Sequence, residues 1–532
     1  MKNKYLFLLL ISALSFGQIV QVKDIYPGST NSVANSSSPS TFFDYNGILY
    51  FRANNGTDGV ELWKSDGTDA GTVLVKNINN TSTLASASNP SNFTIFNNQL
   101  YFSASNGTTV NSTELWKTDG TPEGTNMVID INKTSTTAVS NSNPQLFTII
   151  NPTTLLFSAT DGLKGTQLWK TNGTEAGTST VFDSGTGNTI TWMENLNGIA
   201  IYGQITTGQG RELYSSDGNS VNSRIKDIYS GTPNGVGTSS FRNGNTVYFP
   251  GNTSANGSEL WKTDGTEAGT VLVKDINPGT TASAPVRFAN SGNLTYFKAN
   301  GPNGQELWRT DGTEAGTVEV ANINTAADGS SNPDQIVSIN DVIYFFAADN
   351  GTNYDLYKYE NDLLTKLYDF NALTGTVSTN YVELNGKIYF AADSNSDGSR
   401  ELWQTDGTAL GTVAIAGPTN ILELTKVGNK LFFAGTVADG QELFSYTPPT
   451  LSVKDQDKLE AVAVYPNPSD GNFFINNTDN ETIQYEVFDL LGKKQAAGQT
   501  NDNSLHLNLK TGLYILKLTK NSQTSTTKII IK

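Results

Sequence analysis

One short stretch near residue 400 carries oxygen-bearing side chains at the spacing of a calcium-binding loop. It reads Asp-Ser-Asn-Ser-Asp-Gly-Ser-Arg-Glu, with Asp393, Asn395 and Asp397 at positions 1, 3 and 5, and Glu401 at position 9. Ca²⁺ prefers carboxylate and carbonyl oxygens, and the glycine at position 6 lets the chain wrap round the ion. The pattern predicts a calcium site formed by Asp393, Asn395, Asp397 and Glu401, and no other cofactor is indicated.

A plainer interpretation of the same loop stays open. Position 12 is Gln404 and not the bidentate glutamate of a helical calcium loop, so that version is disfavoured. Glu401 also belongs to a phrase that recurs along the chain. The loop could therefore be a polar insertion in a hairpin that binds no metal.

Little else in the composition suits catalysis. The 532 residues include no cysteine and a single histidine, His506. Disulfides, thiolate metal sites, cysteine nucleophiles and histidine clusters are therefore excluded. A carboxylate pair could still cleave a glycosidic bond, but no acid stands out from those that repeat. No catalytic residue is nominated, and the inventory favours a protein without enzymatic activity.

The formal net charge is −16, from 34 basic and 50 acidic residues. An acidic surface repels the phosphates of nucleic acids and anionic membranes. Nucleic acids and anionic membranes are therefore excluded as partners. We also expect the protein to be a monomer.

The elements that carry these residues come from an internal repeat. Six copies of a phrase like Glu-Leu-Trp-Lys-Ser-Asp-Gly-Thr and three weaker copies recur about 48 residues apart. The aromatic positions of the nine copies are 63, 116, 169, 214, 261, 308, 357, 403 and 444. Such a period is typical of a solenoid, a propeller or another array.

Each repeat predicts four short strands separated by Asn-Gly, Asp-Gly and Asp-Gly-Thr turns. Four antiparallel strands per unit indicate a β-propeller blade. The recurring aspartates (Asp66, Asp119, Asp264, Asp311 and Asp406) are interpreted as turn residues, and the recurring tryptophans as core. Trp192 lies outside the phrase, and its role stays undecided between core and exposed contact.

The two ends of the array favour a closed ring. The ninth unit stops at Tyr446 without a fourth strand, whereas residues 22–28 resemble the end of one. We therefore expect residues 18–26 to complete the last blade. The count is about nine blades, or eight if one degenerate unit is not a true blade, with two smaller rings as a lesser alternative.

The chain begins with features of export. Lys2 and Lys4 precede an apolar stretch too short to span a bilayer, and small residues precede Gln18. We predict a signal peptide at residues 1–17 and no transmembrane segment. The predicted domains are the propeller at 18–446, a linker at 447–458 and a small Ig-like β-sandwich at 459–532, since alternating strands and Pro, Gly and Asn turns fill the tail.

Two resemblances follow from these motifs. Residues 18–446 resemble the Glu-Leu-Trp-x-x-Asp-Gly-Thr repeat proteins of bacterial surfaces and secretions, a resemblance that implies no catalytic residues. The tail, with Val464-Tyr465-Pro466-Asn467-Pro468 and the terminal strand Lys528-Ile529-Ile530-Ile531-Lys532, resembles the type A sorting domain of the type IX secretion system of Bacteroidetes. That resemblance implies the secretion machinery as partner and export to the medium or the outer cell surface.

Two functions compete at this stage. The first is a non-enzymatic propeller that binds a glycan or a protein, as in adhesion. The second is a secreted polysaccharide-acting enzyme, a glycosidase or lyase, on a propeller scaffold, and this link is analogy with the fold. An asymmetric cluster of acids, arginine and tyrosine in the central channel would favour the enzyme.

Overall fold

The structure is a computed structural model. It describes residues 17–81, 87–107, 113–133, 140–182, 185, 187–219, 222–326, 329–373, 381–394, 397–449, 464–475, 481–489, 493–520 and 523–532. These residues form strands and turns without a helix. The chain divides into two compact units, Met1–Pro448 and Pro449–Lys532.

The first unit begins with β1 (Gln18–Lys23) and a small hairpin of β2 (Ser29–Thr30) and β3 (Val33–Ala34). Four-stranded antiparallel sheets follow, and we number them as blades. Blade 1 contains β4 (Ser40–Tyr45), β5 (Ile48–Asn54), β6 (Val60–Ser65) and β7 (Val73–Lys76); blade 2 contains β8 (Ser91–Phe96), β9 (Gln99–Ser105), β10 (Thr113–Thr118) and β11 (Asn126–Ile129); blade 3 contains β12 (Gln145–Asn151), β13 (Thr154–Thr160), β14 (Thr166–Thr171) and β15 (Ser179–Thr180).

The next three blades repeat this order. Blade 4 contains β16 (Thr189–Leu196), β17 (Ile199–Thr206), β18 (Gln209–Ser216) and β19 (Ser223–Lys226); blade 5 contains β20 (Phe241–Asn243), β21 (Thr246–Thr253), β22 (Gly257–Thr263) and β23 (Val271–Lys274); blade 6 contains β24 (Val286–Ser291), β25 (Leu294–Gly301), β26 (Gly304–Thr310) and β27 (Val318–Ala321).

The last three blades complete the first unit. Blade 7 contains β28 (Asp334–Ile339), β29 (Val342–Ala347), β30 (Asn353–Glu360) and β31 (Leu363–Leu373); blade 8 contains β32 (Val382–Leu384), β33 (Lys387–Ala392), β34 (Glu401–Thr405) and β35 (Val413–Ile415); blade 9 contains β36 (Thr419–Val427), β37 (Lys430–Val437), β38 (Gly440–Thr447) and the N-terminal β1. The described residues thus form nine blades, as the repeat count predicts.

The ring closes by pairing the two ends of the array. β1 lies antiparallel to β38, with Gln18 opposite Thr447 and Lys23 opposite Leu443. Val22 is buried in a cluster that joins blade 9 to blade 1. The predicted closure is confirmed.

First strands of neighbouring blades lie against one another, as β36 does against β4, so the first strands line the centre of the ring.

The core consists of apolar clusters between neighbouring blades. In one of them, Tyr50 and Leu62 of blade 1 pack with Phe102 and Trp116 of blade 2. Each blade buries aliphatic and aromatic residues of its second and third strands, and aromatic side chains bury large apolar areas. The prediction that the repeated tryptophans are core is confirmed.

Trp192, left undecided by the sequence, is also buried. It lies in β16 against Phe249, and its indole N–H donates to the backbone oxygen of Gly237 at 3.1 Å. A buried indole usually finds such a partner. Trp192 is therefore a structural residue and not an exposed contact.

The second unit is a two-sheet sandwich, as predicted. Its strands are β39 (Val464–Tyr465), β40 (Asn472–Ile475), β41 (Ile483–Phe488), β42 (Lys494–Thr500), β43 (Ser504–His506), β44 (Gly512–Lys520) and β45 (Gln523–Ile531). One sheet has the order β39-β40-β43 and the other β42-β41-β44-β45. Phe473, Val487, Leu516 and Ile529 are buried between them.

Candidate functional site

The repeated Asp-Gly-Thr segments are hairpin turns. Thr68 donates both its backbone N–H (2.8 Å) and its hydroxyl (2.7 Å) to Asp66 Oδ1. These hydrogen bonds hold the pKa of Asp66 below its ordinary value. The same two bonds form at Asp119, Asp264, Asp311 and Asp406. The prediction that these aspartates are turn residues is confirmed.

The glutamate of the repeated phrase has a structural role that the sequence analysis missed. Glu114 is buried, and its Oε2 accepts hydrogen bonds from the Ile131 backbone N–H (2.9 Å) and the Ser142 hydroxyl (2.6 Å). The carboxylate therefore fastens the loop that leads from one blade to the next. Burial raises the pKa of Glu114 to about 7.

The same arrangement of a buried glutamate that accepts a serine hydroxyl bond, which we call the clasp, recurs in the array. Glu61, Glu259, Glu306 and Glu442 are buried, and each accepts a serine hydroxyl bond. A sequence signal for it exists, because Ser-x-Pro follows the clasp glutamate at Ser88, Ser142, Ser283 and Ser331, 24 to 28 residues later. These acids serve the fold and are not catalytic candidates.

The predicted calcium loop follows blade 8's second strand. Asp393 is buried, and its Oδ2 accepts the Gly398 backbone N–H at 2.8 Å. The Asp397 Oδ1 accepts the backbone N–H of Ser399 at 2.7 Å. These bonds wrap the loop round its own carboxylates, a geometry compatible with either interpretation of the sequence.

The acidic side chains of this loop repel one another electrostatically. Burial raises the pKa of Glu401, and the negative charges of Asp393 and Asp397 add to that shift. Asn395 falls outside the described residues. Among the residues that are described, no group of three or more His, Cys, Asp or Glu side chains is arranged to hold a metal. The calcium site therefore stays a prediction.

His506, the single histidine of the chain, lies in the second unit. It is exposed in β43, and its Nδ1 is 2.6 Å from Asn472 Oδ1. The contact holds two neighbouring strands of the sandwich together.

The first strands of blades 7, 8 and 9 border an open cavity of about 480 Å³ at the centre of the ring. Gln335, Tyr381, Glu383 and Lys426 contribute polar groups, and Ile336, Val337, Val382 and Leu424 contribute apolar ones. Lys426 Nζ lies 3.5 Å from Glu383 Oε2, and Glu383 Oε1 accepts the Gly386 backbone N–H at 2.9 Å. This set combines donors, acceptors and apolar surface in one concave site.

Backbone strain accompanies the cavity. Gln335 has a φ of 53° and Glu423 a φ of 58°, the left-handed region that side chains other than glycine rarely adopt. Both lie where the strand register shifts, between Asp334 and Val337 in β28 and between Leu422 and Thr425 in β36. The same left-handed position beside a register shift recurs at Thr41, Asn92 and Leu146 in the first strands of blades 1, 2 and 3. The bulge is therefore a feature of the repeat and does not by itself mark the cavity as a site.

A cluster of charges adjoins this cavity. Arg287 Nε lies 2.8 Å from Asp334 Oδ1. Burial lowers the pKa of Lys298 below its ordinary value. The positive charge of Arg287 lowers it further, and the negative charge of Asp334 opposes the shift. The Tyr381 ring stacks on Phe346 with centroids 6.0 Å apart, and its buried hydroxyl has no hydrogen-bond partner in the described part of the chain. Burial, with the charge of Asp334, raises the pKa of Tyr381.

The centre of the ring is asymmetric. The first strands of blades 2 and 3 carry no charged residue. The first strands of the other seven blades carry charged residues: Asp44, Glu194 and Arg242 in blades 1, 4 and 5, and Arg287, Asp334, Glu383, Glu423 and Lys426 in blades 6 to 9. The uncharged part of the channel is therefore confined to blades 2 and 3.

Comparison with known proteins assigns the tail. Residues 463–532 match the family described as the secretion system C-terminal sorting domain. A domain of this family directs export by type IX secretion, so the protein interacts with that machinery and reaches the cell surface or the extracellular space. Within the described ranges, no helical segment has the length and hydropathy needed to cross a membrane.

The similarities to whole proteins are more distant. The chain is 27% identical over 165 residues to "Ulvan lyase NLR42" of Nonlabens ulvanivorans, an alignment that covers 30% of this chain and 28% of that protein. PorZ, a surface component of the type IX secretion system of Porphyromonas gingivalis, has a TM-score of 0.30 at 10% identity, covering 91% of this chain and 80% of PorZ. The GH74 xyloglucanase of Xanthomonas campestris has a TM-score of 0.27 at 11% identity, covering 79% and 68%.

Proposed function

We propose that this exported protein is a non-enzymatic carbohydrate-binding propeller that holds a neutral oligosaccharide at the centre of its ring. The observation that carries the proposal is the cavity of about 480 Å³ between blades 7, 8 and 9. Its volume falls within the range of about 300 to 1,000 Å³ that ligand pockets occupy.

The chemistry of the lining suits hydroxyl groups. Glu383 accepts hydrogen bonds, Lys426 donates them, and the Gln335 amide does both. The charges of Glu383 and Lys426 offset each other at 3.5 Å, so the pair does not demand a charged ligand. The apolar side chains of Val337 and Leu424 offer a surface for the C–H face of a sugar ring.

A glycan array probed with the full mature chain tests the proposal, followed by titration calorimetry on the sugars that bind. Loss of one ligand hydrogen bond costs about 1 kcal/mol, so Gln335→Ala is expected to weaken binding several-fold to tenfold. Asn92→Ala is the matched control, because Asn92 holds the same left-handed bulge position in blade 2, with a φ of 58°. Equal losses in both variants, or no binding to any glycan, would refute the proposal.

A polysaccharide-acting enzyme is the second candidate, and the charge cluster favours it. Arg287 could stabilise an acidic sugar's carboxylate, and Lys298, whose pKa burial lowers, could act as a general base. The partial similarity to an ulvan lyase points the same way. Incubation with acidic polysaccharides, ulvan among them, separates the two functions. New reducing ends or unsaturated products, abolished by Lys298→Ala with binding retained, would establish the enzyme.

A further inference from the structure

Four of the nine seams between neighbouring blades are held, in the described residues, by a lysine of the repeated phrase. Lys64 Nζ of blade 1 donates to the backbone oxygen of Gly120 in blade 2's turn at 2.9 Å. Lys117 reaches Gly173 at 2.9 Å, and Lys262 reaches Gly312 at 2.8 Å, in the same way. The lysine therefore occupies the space between two blades at the face that carries the Asp-Gly-Thr turns.

The seam between blades 7 and 8 departs from this arrangement. Blade 7 has Glu360 where most other blades have the turn aspartate, and no threonine follows to capture it. Glu360 instead pairs with Lys358, at 3.3 Å. In the described residues, Lys358 makes no hydrogen bond to Gly407, the glycine of blade 8's turn. A cavity of about 360 Å³ lies in this seam.

The hydroxyl of a tyrosine lies at this cavity. Tyr344 is only 6% exposed and lines the cavity beside Gly407. A Cβ built on Gly407 would lie 2.9 Å from the Tyr344 hydroxyl. That hydroxyl has no hydrogen-bond partner among the residues described. A hydroxyl at the wall of a cavity can both donate and accept a hydrogen bond, so it is available to a ligand there.

The remaining groups define the class of ligand. Glu360, Glu383 and Asp406 offer carboxylate oxygens, and Lys358 and Tyr344 offer donors. Each acid has a cation near it: Lys358 for Glu360, Lys426 for Glu383 and Lys387 for Asp406. Paired charges with free donor and acceptor capacity suit an uncharged polyhydroxyl group and not an ion.

Glu383 lines both this cavity and the one at the centre of the ring. We infer that the seam cavity is a second sugar subsite for the oligosaccharide of the channel, so that the ligand is a neutral chain spanning both cavities. The inference rests on the proposed carbohydrate-binding function. It predicts that binding affinity depends on the length of the oligosaccharide. It assigns that dependence to Tyr344 and the cavity between blades 7 and 8.

The test measures affinity against ligand length. Neutral β-linked gluco-, manno- and xylo-oligosaccharides of one to eight residues are titrated into the full mature chain and into Tyr344→Phe. Tyr248→Phe is the matched control, because a Cβ on Gly312 would also lie 2.9 Å from the Tyr248 hydroxyl, but Lys262 holds that seam. We expect long oligomers to bind Tyr344→Phe about tenfold more weakly, with short ones and the control unchanged.

A second variant covers a failure of Tyr344→Phe to fold. Glu360→Gln removes the ion pair that holds Lys358, which can then reach Gly407 and fill the seam. Long oligomers should again bind more weakly. If wild-type affinity rises with length and both variants match it, the seam inference is overturned and the channel proposal stands. If the wild type binds no oligomer of any length, both are overturned.

Discussion

Ser142 donates its hydroxyl to Glu114 Oε2 at 2.6 Å, across 28 residues of chain and from one blade's entry loop to another blade's third strand. The same glutamate holds the Ile131 backbone N–H. Ile131 and Ser142 belong to loops and not to paired strands. Their hydrogen bonds to Glu114 therefore fix how the next blade begins. Equivalent bonds, Glu61 with Ser88 and Glu306 with Ser331, repeat this device round the ring.

The buried clasp predicts a pH dependence of stability. The pKa of Glu114 is about 7 in the folded protein against an ordinary value of 4.5. A group with a raised folded pKa contributes its stability fully below the unfolded value and loses it as pH rises through the folded one. Between pH 4.5 and 8 this loss is about 3 kcal/mol for Glu114.

Glu114→Gln is therefore expected to flatten the decline in unfolding free energy between pH 5 and pH 8, measured by urea denaturation. Glu212, whose burial also raises its pKa to about 7, remains and leaves part of the slope. Asp119→Asn, at an exposed turn, is the control and should leave the decline unchanged. An identical decline in wild type and Glu114→Gln would contradict the clasp's titration.

Closure of the ring predicts a penalty for removing its N-terminal strand. Deleting residues 18–26 removes β1, exposes the edge of β38 and uncovers the cluster around Val22 and Ile25. Burial of these two side chains alone is worth about 4 kcal/mol. We expect a lower Tm and aggregation, measured by thermal denaturation and light scattering against a chain that begins at Gln18. Unchanged stability would disprove closure by β1.

The sorting domain predicts a loss of export on truncation. Removing residues 459–532 should leave the propeller folded inside the cell envelope and absent from the medium and outer surface. Immunoblots of periplasmic, membrane and medium fractions measure this, with the full chain as control. Normal amounts of the truncated protein in the medium would show that another segment carries the export signal.

The loop after β33 predicts stabilisation by calcium. If Asp393, Asn395, Asp397 and Glu401 bind Ca²⁺, the ion relieves repulsion among the carboxylates and binds only the folded state. Millimolar Ca²⁺ should raise the Tm by several degrees over EDTA, and Asp397→Ala should abolish that rise. Asp439→Ala, in the corresponding hairpin of blade 9, should preserve it. A Tm indifferent to Ca²⁺ and EDTA would assign the loop to a simple polar insertion.

Local sequence alone predicted the four-stranded blades, and the structure settled their number at nine among the described residues. A period-two strand beside an Asn-Gly or Asp-Gly-Thr turn needs only neighbouring residues, so Asp66 and Thr68 form their turn without help from distant chain. The incomplete ninth repeat likewise predicted that β1 pairs with β38, because a closed sheet leaves few unpaired edges. The motifs of the tail predicted the sorting domain in the same way.

Only the tertiary structure decided which residues of different blades meet. Gln335, Glu383 and Lys426 belong to three repeats about 45 residues apart, and nothing in any one repeat marks them as neighbours. The hydrogen bonds of Glu114 and the cavity beside Tyr344, between blades 7 and 8, likewise depend on how one blade packs on the next. A repeat's sequence specifies its own sheet through short-range hydrogen bonds, whereas the sites lie between sheets, where the geometry of the whole ring sets the distances.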